Sequence, residues 1–590
     1  MSTMDQPRSL SPRWSDVITQ PRSQGAALAA SAVAYCRERA AALRANRPLR
    51  VAIVWAAVAW LVLEITFIAW VHLSLEGASH RAFLPGTWFG IPAREAAAGM
   101  QCVSRFGYDG QLYYWQSNDI FGRHDAYKHI DNVMYRYQRI GMPMLAGGVA
   151  TLFGFPLTPP LLYHTLNFGL TAVGFGALVY WLLIKGLHPA YALGWLLAVG
   201  TIESLWKGLL DAPADAVFAL AMIAALSGRL RWYVPLAAFL LLVREVYAVF
   251  ACPIFVLTLL GRIEWQDVQG YWKRAFLTAV PGGVMLAWTA YLTINFQLSP
   301  IKGHTDNPAV TSYPFYMMFK YLGIFAKQMN WSEFRLALVP AFTLLLVTML
   351  LVRNFRKLPW PVLATIPFVL MTASLGMAVW EGYGASTRVT GTLLVVGLMI
   401  MPFDGSILLR FLLALQAIVG IAWESDIRFL HPALYSPHLL HEESWPAINP
   451  PGSPENPLLN DLRCQVEWLE PEATCRRNYH GVWDWVHREI KPVKVAVTNR
   501  SDVFWYGGRG KHPIWVGCTV IDPSGQRAPR RRVAIIDRSI APGQTEEFTA
   551  YLELTRPGTY QVEFSLMQEG AGWFADTDPA FGRRYEVQVE

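Results

Sequence analysis

Asp109 stands between Tyr108 and Gly110 in the stretch RFGYDGQLYYWQSNDIFGRHDAYKHIDNVMYRYQRIG, residues 105–141. A carboxylate beside a glycine can accept a proton where the backbone leaves room for another molecule. Gln111, Tyr113, Tyr114 and Trp115 follow, and aromatic faces with polar rims suit both sugar stacking and the membrane interface. The bland alternative is an interfacial loop whose Asp109 caps the next helix. Asp131, Tyr135, Arg136, Tyr137 and Arg139 form a second cluster. Two arginines at this spacing share one helical face, and a guanidinium binds phosphate through a planar fork that Asp131 could orient. The same arginines could instead snorkel to lipid phosphates.

Further along, Glu203, Lys207, Asp211 and Asp215 recur every four residues. On a continuous helix they would form one stripe, but Pro213 is expected to break it. Arg244 and Glu245 interrupt a long apolar run, and adjacent charges there need partners or water. Glu381, Tyr383 and Arg388 open a late apolar segment, while Glu64 stands alone in the first one and reads as a packing group. Walker A, GxGxxG, HExxH and GxSxG signatures do not occur in a fitting context, which disfavours nucleotide-driven transport and zinc proteolysis.

The elements that must position these residues are apolar. The chain has 590 residues, 53% hydrophobic and only 16% charged, with a mean hydropathy of +0.26. A soluble domain is about 25% charged. The apolar residues gather in runs of about 15–25, the length that crosses a bilayer as helix. The expected class is therefore a polytopic α-helical membrane protein. The formal charge of +7 reports loop topology rather than a nucleic-acid partner. Arg37, Arg39, Arg44, Arg47 and Arg50, with Glu38 the one acid among them, place the N-terminal segment 1–49 in the cytoplasm. The polar lead is too long for a cleaved signal peptide, so residues 51–73 are read as a retained helix.

Basic turns at Lys185, Arg229 and Arg231, Arg262 to Arg274, and Arg353 to Lys357 then set the parity. The expected spans are 50–73, 160–184, 190–210, 213–228, 232–247, 249–261, 275–296, 336–352, 360–380, 388–403 and 406–424, about eleven crossings. Residues 142–155 are left at, or dipping into, the outer interface. On this scheme the loop 74–141, Asp211, the loop 297–335, Glu381 to Arg388 and the C-terminus all fall on the outer face.

Past residue 424 the composition changes. Residues 425–490 read as a Pro-, His- and Trp-rich extracytoplasmic linker, in which Cys464 and Cys475 are near enough in sequence for a disulfide. No CxxC or Cys/His set has metal-site spacing. From 491 to 590, runs such as VKVAVTN, PIWVGCTVID and TYQVEFSLMQ alternate with DPSG, APGQ and RPG turns. That pattern predicts an all-β sandwich of immunoglobulin-like type.

Two stretches carry a family likeness: FGYDGQLYYW, followed by DNVMYRYQRIGMPMLAG. They resemble bacterial integral-membrane proteins of cell-surface glycopolymer formation, of the GT-C class of glycosyltransferases. LWKGLLDAPADAVFALAMIAAL, LLVREVYAVF and EGYGASTRVTGTLL are similar to later segments of that class, so the likeness covers most of residues 50–424. It implies a GT-C-like transmembrane domain at the bacterial inner membrane and a sugar donor linked to polyprenyl phosphate. The acceptor would be a surface polysaccharide or glycolipid on the outer face. By that likeness Asp109 is the base, with Asp131 in reserve and Asp211 a third candidate. Arg136, Arg139 and Arg388 would hold the donor phosphate. Arg244, Tyr108, Gln111, Tyr114 and Glu381 complete the expected substrate contacts. No cofactor is required beyond the donor, although a divalent cation could sit between Asp109 and Asp211. The tail resembles accessory β-sandwiches of polysaccharide assembly, implying sugar stacking by Trp505, Trp573 and Phe574 and a place among other glycan-assembly proteins; these aromatics could equally be core. Two rival classes stand beside this one: a transporter or flippase of lipid-linked glycan, and a non-catalytic glycan-binding scaffold.

Overall fold

The computed structural model describes residues 46–75, 77–86, 89–100, 102, 107–298, 313–327, 331–375, 385–413, 415, 456–469, 490–507, 512–528, 530–536, 539–554 and 558–589. Glu381, Cys475 and most of the expected 406–424 span lie outside these residues. The first part is helical: α1 (Arg47–Ser74), α2 (Asp109–Asn118), α3 (Val133–Tyr137), α4 (Gly141–Leu152), α5 (Pro160–Ile184), α6 (Val199–Trp206) and α7 (Asp211–Leu226). It continues with α8 (Leu230–Val243), α9 (Ala248–Leu259), α10 (Tyr271–Phe296), α11 (Tyr316–Lys327), α12 (Trp331–Asn354), α13 (Ile366–Ala373) and α14 (Ala385–Ile400).

Asn46 starts α1 by accepting from the Leu49 amide at 3.1 Å, with Pro48 in the first turn where no amide is needed. The outward face of α1 is apolar, with Ile65 57% exposed, and Leu286 on α10 is 71% exposed. Large apolar side chains turned outward on these two long helices are consistent with membrane association.

Among the described residues fewer full crossings are seen than the eleven expected. Among the described residues four helices are long and apolar enough to cross a membrane: Arg47–Leu73, Pro160–Ile184, Tyr271–Phe296 and Leu338–Lys357. The number rises to five if α6 and α7, bent by 117°, count as one broken span. Gly141–Leu152, Leu230–Val243, Glu245–Leu259, Trp360–Ala373 and Gly391–Phe403 are shorter. At 1.5 Å per residue such helices reach only about 20 Å, against a hydrocarbon core of about 30 Å. The two breaks expected between 190–210 and 213–228 and between 232–247 and 249–261 are present, each a few residues earlier in the chain than the sequence places it. One lies at Lys207–Leu210, where Gly208 takes φ +65°; the other is a single 3₁₀ turn at Glu245–Tyr247. Pro213 breaks nothing: it sits in the first turn of α7, where its missing amide costs no hydrogen bond.

The C-terminal part is a two-sheet antiparallel sandwich. One sheet has the order β1 (Cys464–Trp468), β2 (Ile490–Asn499), β5 (Thr545–Glu553). The other runs β4 (Arg531–Ile535), β3 (Ile514–Ile521), β6 (Gly558–Gln568), with β7 (Gly572–Trp573) and β8 (Arg583–Val589) both paired to β6. Val493, Val495 and Val497 of β2 face Val562, Phe564 and Leu566 of β6 in one core, the alternation expected of half-buried strands. Cys464 to Trp468 pairs with Asn499 to Val495, so the sandwich reaches back into the segment read as linker. Five residues inside a proline-rich stretch were too short a signal to mark it.

Candidate active site

Asp109 is the first residue of α2, not a loop residue. Tyr108 before it is extended, and Gly110 after it presses on the α6–α7 break: a Cβ there would lie 1.8 Å from the Lys207 carbonyl oxygen. The glycine that suggested access for a ligand thus serves a backbone contact within the protein. That contact brings Asp109 beside Asp211, the first residue of α7.

The inner side of α2 is packing. Tyr114 is fully buried, stacked on Phe83 at 4.5 Å, and donates to the Thr158 carbonyl at 2.6 Å. Gln111 is fully buried and accepts from the Gly86 amide at 2.7 Å. Neither can touch a substrate, and both expectations are corrected: helical periodicity turns them away from Asp109.

Asn132 caps α3 by accepting from the Tyr135 amide at 3.0 Å; Arg136 lies on this short helix and Arg139 just past its end. Arg136 donates through Nε and Nη2 to Asp131 at 2.9 and 2.7 Å, through Nη2 to Asp109 at 2.8 Å, and through Nη1 to the Tyr113 hydroxyl at 3.2 Å. Arg139 donates through Nε and Nη2 to Glu245 at 2.8 and 2.6 Å, through Nη1 to the same Tyr113 hydroxyl at 3.2 Å, and lies 3.9 Å from the centre of the Tyr135 ring. Both forks are therefore filled by carboxylates, which argues against either holding a phosphate. Their role here is to fix Asp109, Asp131 and the α8–α9 break relative to one another.

The opposite side of Asp109 is less saturated. Arg244, at the end of α8, pairs with Asp211. Arg388, in the first turn of α14, has Nη1 at 3.7 Å from both Asp109 and Asp211, beyond hydrogen-bond range. Its Nε is buried without a hydrogen-bond partner among the described residues. The Tyr108 ring lies between Arg388, at 5.8 Å, and Lys207, at 4.0 Å, and its hydroxyl donates to Glu203 at 2.7 Å. Lys207 donates to the same Glu203 oxygen at 3.0 Å.

Asp109 sits deep among these groups, yet 34% of its side-chain surface remains accessible. It therefore faces an opening rather than a sealed core. Burial alone would raise its carboxyl, but the Arg136 and Arg388 guanidiniums outweigh it and hold the group well below the usual carboxylate range.

Asp109, Asp131, Asp211, Arg136, Arg139, Arg244, Arg388 and Tyr108 are thus brought into one network from separate segments. Glu245, Tyr113 and Tyr135 belong to it as well, and their roles were not legible in the sequence; Glu245 lies 106 positions from Arg139. Groups of three or more His, Cys, Asp or Glu placed for a metal ion do not occur among the described residues.

The tail aromatics stand apart from this network. Trp505 and Phe574 are fully buried and meet edge to face at 6.0 Å, so they are sandwich core and not sugar platforms. Trp573 is the partly exposed one, packed on Trp515 and Met567 with the Arg530 guanidinium 5.4 Å from its ring centre. Cys464 is buried and carries a free thiol.

Neither a known protein family nor a curated protein matches the chain.

Proposed function

We propose that this protein is a GT-C-like membrane glycosyltransferase that moves a sugar from a polyprenyl-phosphate donor to a surface polysaccharide or glycolipid. The observation that carries the reading is the unsaturated Arg388 beside the accessible carboxylate of Asp109. Transfer to an alcohol needs a base for the hydroxyl proton and a cation for the leaving phosphate, and those two groups stand side by side. The network lies where several apolar helices begin or end, which is where the headgroup of a lipid-linked donor is found. In this reading the network and the sandwich face the outside of the inner membrane, and the N-terminus is cytoplasmic.

The chemistry proceeds in one displacement. The acceptor oxygen attacks the anomeric carbon, the bond from that carbon to the phosphate oxygen breaks, and the hydroxyl proton passes to Asp109. The phosphate leaves with its negative charge against Arg388 and Arg244. Attack opposite the leaving group inverts the anomeric centre. Between two guanidiniums Asp109 is a weak base. A donor phosphate that draws Arg388 away removes one of them, so Asp109 gains basicity when the donor is bound.

The test is transfer from a radiolabelled polyprenyl-phosphate sugar by purified protein in nanodiscs. Asp109→Asn and Arg388→Ala each lower it at least about a hundredfold while the protein stays folded. Full transfer by Asp109→Asn at normal protein levels sinks the assignment of the base.

A transporter reading has one observation of its own, the α6–α7 pair bent by 117° with charges at the break, a device of secondary transporters. Movement of labelled lipid-linked sugar across proteoliposomes without transfer would favour it.

A further inference from the structure

One helical turn beneath the site lies a second polar layer that the proposed chemistry does not use. Asp215 is four residues after Asp211 on α7, Thr392 four after Arg388 on α14, and Tyr247 three after Arg244 across the 3₁₀ turn. All three are buried, at 2%, 3% and 1% exposure. The Tyr247 hydroxyl donates to Asp215 Oδ1 at 2.5 Å, Thr392 Oγ1 donates to the same oxygen, and the two hydroxyls lie 2.9 Å apart. The lower layer therefore joins the same three segments as the Asp211, Arg388 and Arg244 group above it.

The closeness of this contact depends on Gly391. A Cβ at that position would lie 2.2 Å from Asp215 Oδ2, so only glycine lets α14 approach α7 this far. The Tyr247 ring is held in turn by stacking on Phe368, with centres 5.8 Å apart, and by Phe218 at 5.2 Å. Above this rigid floor Arg388 has no hydrogen bond short enough to fix it to Asp109 or Asp211. Something other than its ion pairs must set where its guanidinium stands.

We infer that Asp215, Thr392 and Tyr247 are positioning residues that lock α14 to α7 and so set the reach of Arg388 toward a ligand phosphate. The inference rests on the reading of Arg388 as the phosphate-holding group. Side chains held by packing and second-layer hydrogen bonds place a charged group more accurately than its own flexible stem can. Loss of one donor to a buried carboxylate leaves that group under-satisfied and lets the helices part.

The experiment uses the full chain in nanodiscs, with undecaprenyl phosphate as the probe and affinity and melting temperature as readouts. Thr392→Val and Tyr247→Phe each weaken binding about tenfold, and Thr392→Ser, which keeps the hydroxyl, restores it. Gly391→Ala, which forces α14 outward, acts in the same direction. Combined with Arg388→Lys, Thr392→Val adds little, since both act through one guanidinium. If Thr392→Val and Tyr247→Phe lower the melting temperature yet bind within twofold of wild type, while Arg388→Ala loses binding, the positioning role is overturned and the phosphate reading survives. Normal binding by Arg388→Ala overturns both.

Discussion

The two sides of Asp109 differ in how their arginines are held. On the Arg136 and Arg139 side each guanidinium meets a carboxylate through two nitrogens and a tyrosine hydroxyl through a third. On the Arg388 side one guanidinium stands 3.7 Å from two carboxylates with a buried nitrogen unbonded among the described residues. The residue type and charge are the same, but the work available to each is not. A filled fork organises the protein, and an unfilled one can organise something else.

The largest expected effects test that division directly. Asp109→Asn and Arg388→Ala lower kcat by about a hundred- to ten-thousandfold while the protein stays folded, Asp109→Asn giving up the stability that its ionised carboxylate supplies. Glu245→Ala or Arg139→Ala does the reverse at first order. Each leaves a buried partner unpaired and destabilises the protein by about 3–5 kcal/mol in chemical denaturation. The double change Arg139→Met with Glu245→Met costs less than the sum of its singles. If Arg139→Ala is instead fully stable and inactive, the division between an organising side and a working side fails.

A smaller effect is read in pH. Asp109 has its carboxyl lowered in the folded protein, first against burial and then by Arg136 and Arg388. Its ionised form therefore adds stability that is fully present above the unfolded value of about 3.9 and is lost as pH falls through the depressed folded value. The stability difference between wild type and Asp109→Asn, followed by denaturation as pH is lowered, persists below pH 4. In an Arg388→Gln background it disappears at higher pH, because one of the two guanidiniums is gone.

The same contrast shows how far the sequence could be read. Asp211, Arg244 and Arg388 were recognisable because charges within or beside apolar runs are rare, and Asp109 because a carboxylate stands next to a glycine in a loop rich in aromatics and charges. The four-residue recurrence from Glu203 to Asp215 was visible too, and so was a break in it, but the break was expected at Pro213 and lies at Gly208, between Lys207 and Asp211. Glu203 goes to Tyr108 and Lys207, while Asp215 goes to Tyr247 and Thr392. That Arg139 is filled could not be read, since its partner Glu245 is distant in sequence and looked paired with its neighbour Arg244. Tyr108 and Tyr114 lie in one aromatic stretch, but Tyr108 is extended ahead of α2 and meets Arg388, while Tyr114 lies within α2 and stacks on Phe83. In the sandwich the alternation of apolar residues placed most strands. Aromatic identity alone did not separate the buried Trp505 from the partly exposed Trp573.

The smallest expected effect is the sharpest about which acid takes the proton. Asp131 is 35% exposed and shares the Arg136 fork with Asp109. Removing its charge as Asp131→Asn leaves Arg136 bonded to Asp109 and Tyr113, so stability falls by less than about 1 kcal/mol. Arg136 then leans more on Asp109, which lowers the basicity of that carboxylate a little further. Transfer should drop by no more than about threefold, a change of about 0.7 kcal/mol in barrier. A loss as large as that of Asp109→Asn, with the fold intact, would move the base from Asp109 to Asp131 and make the Arg136 side the working one.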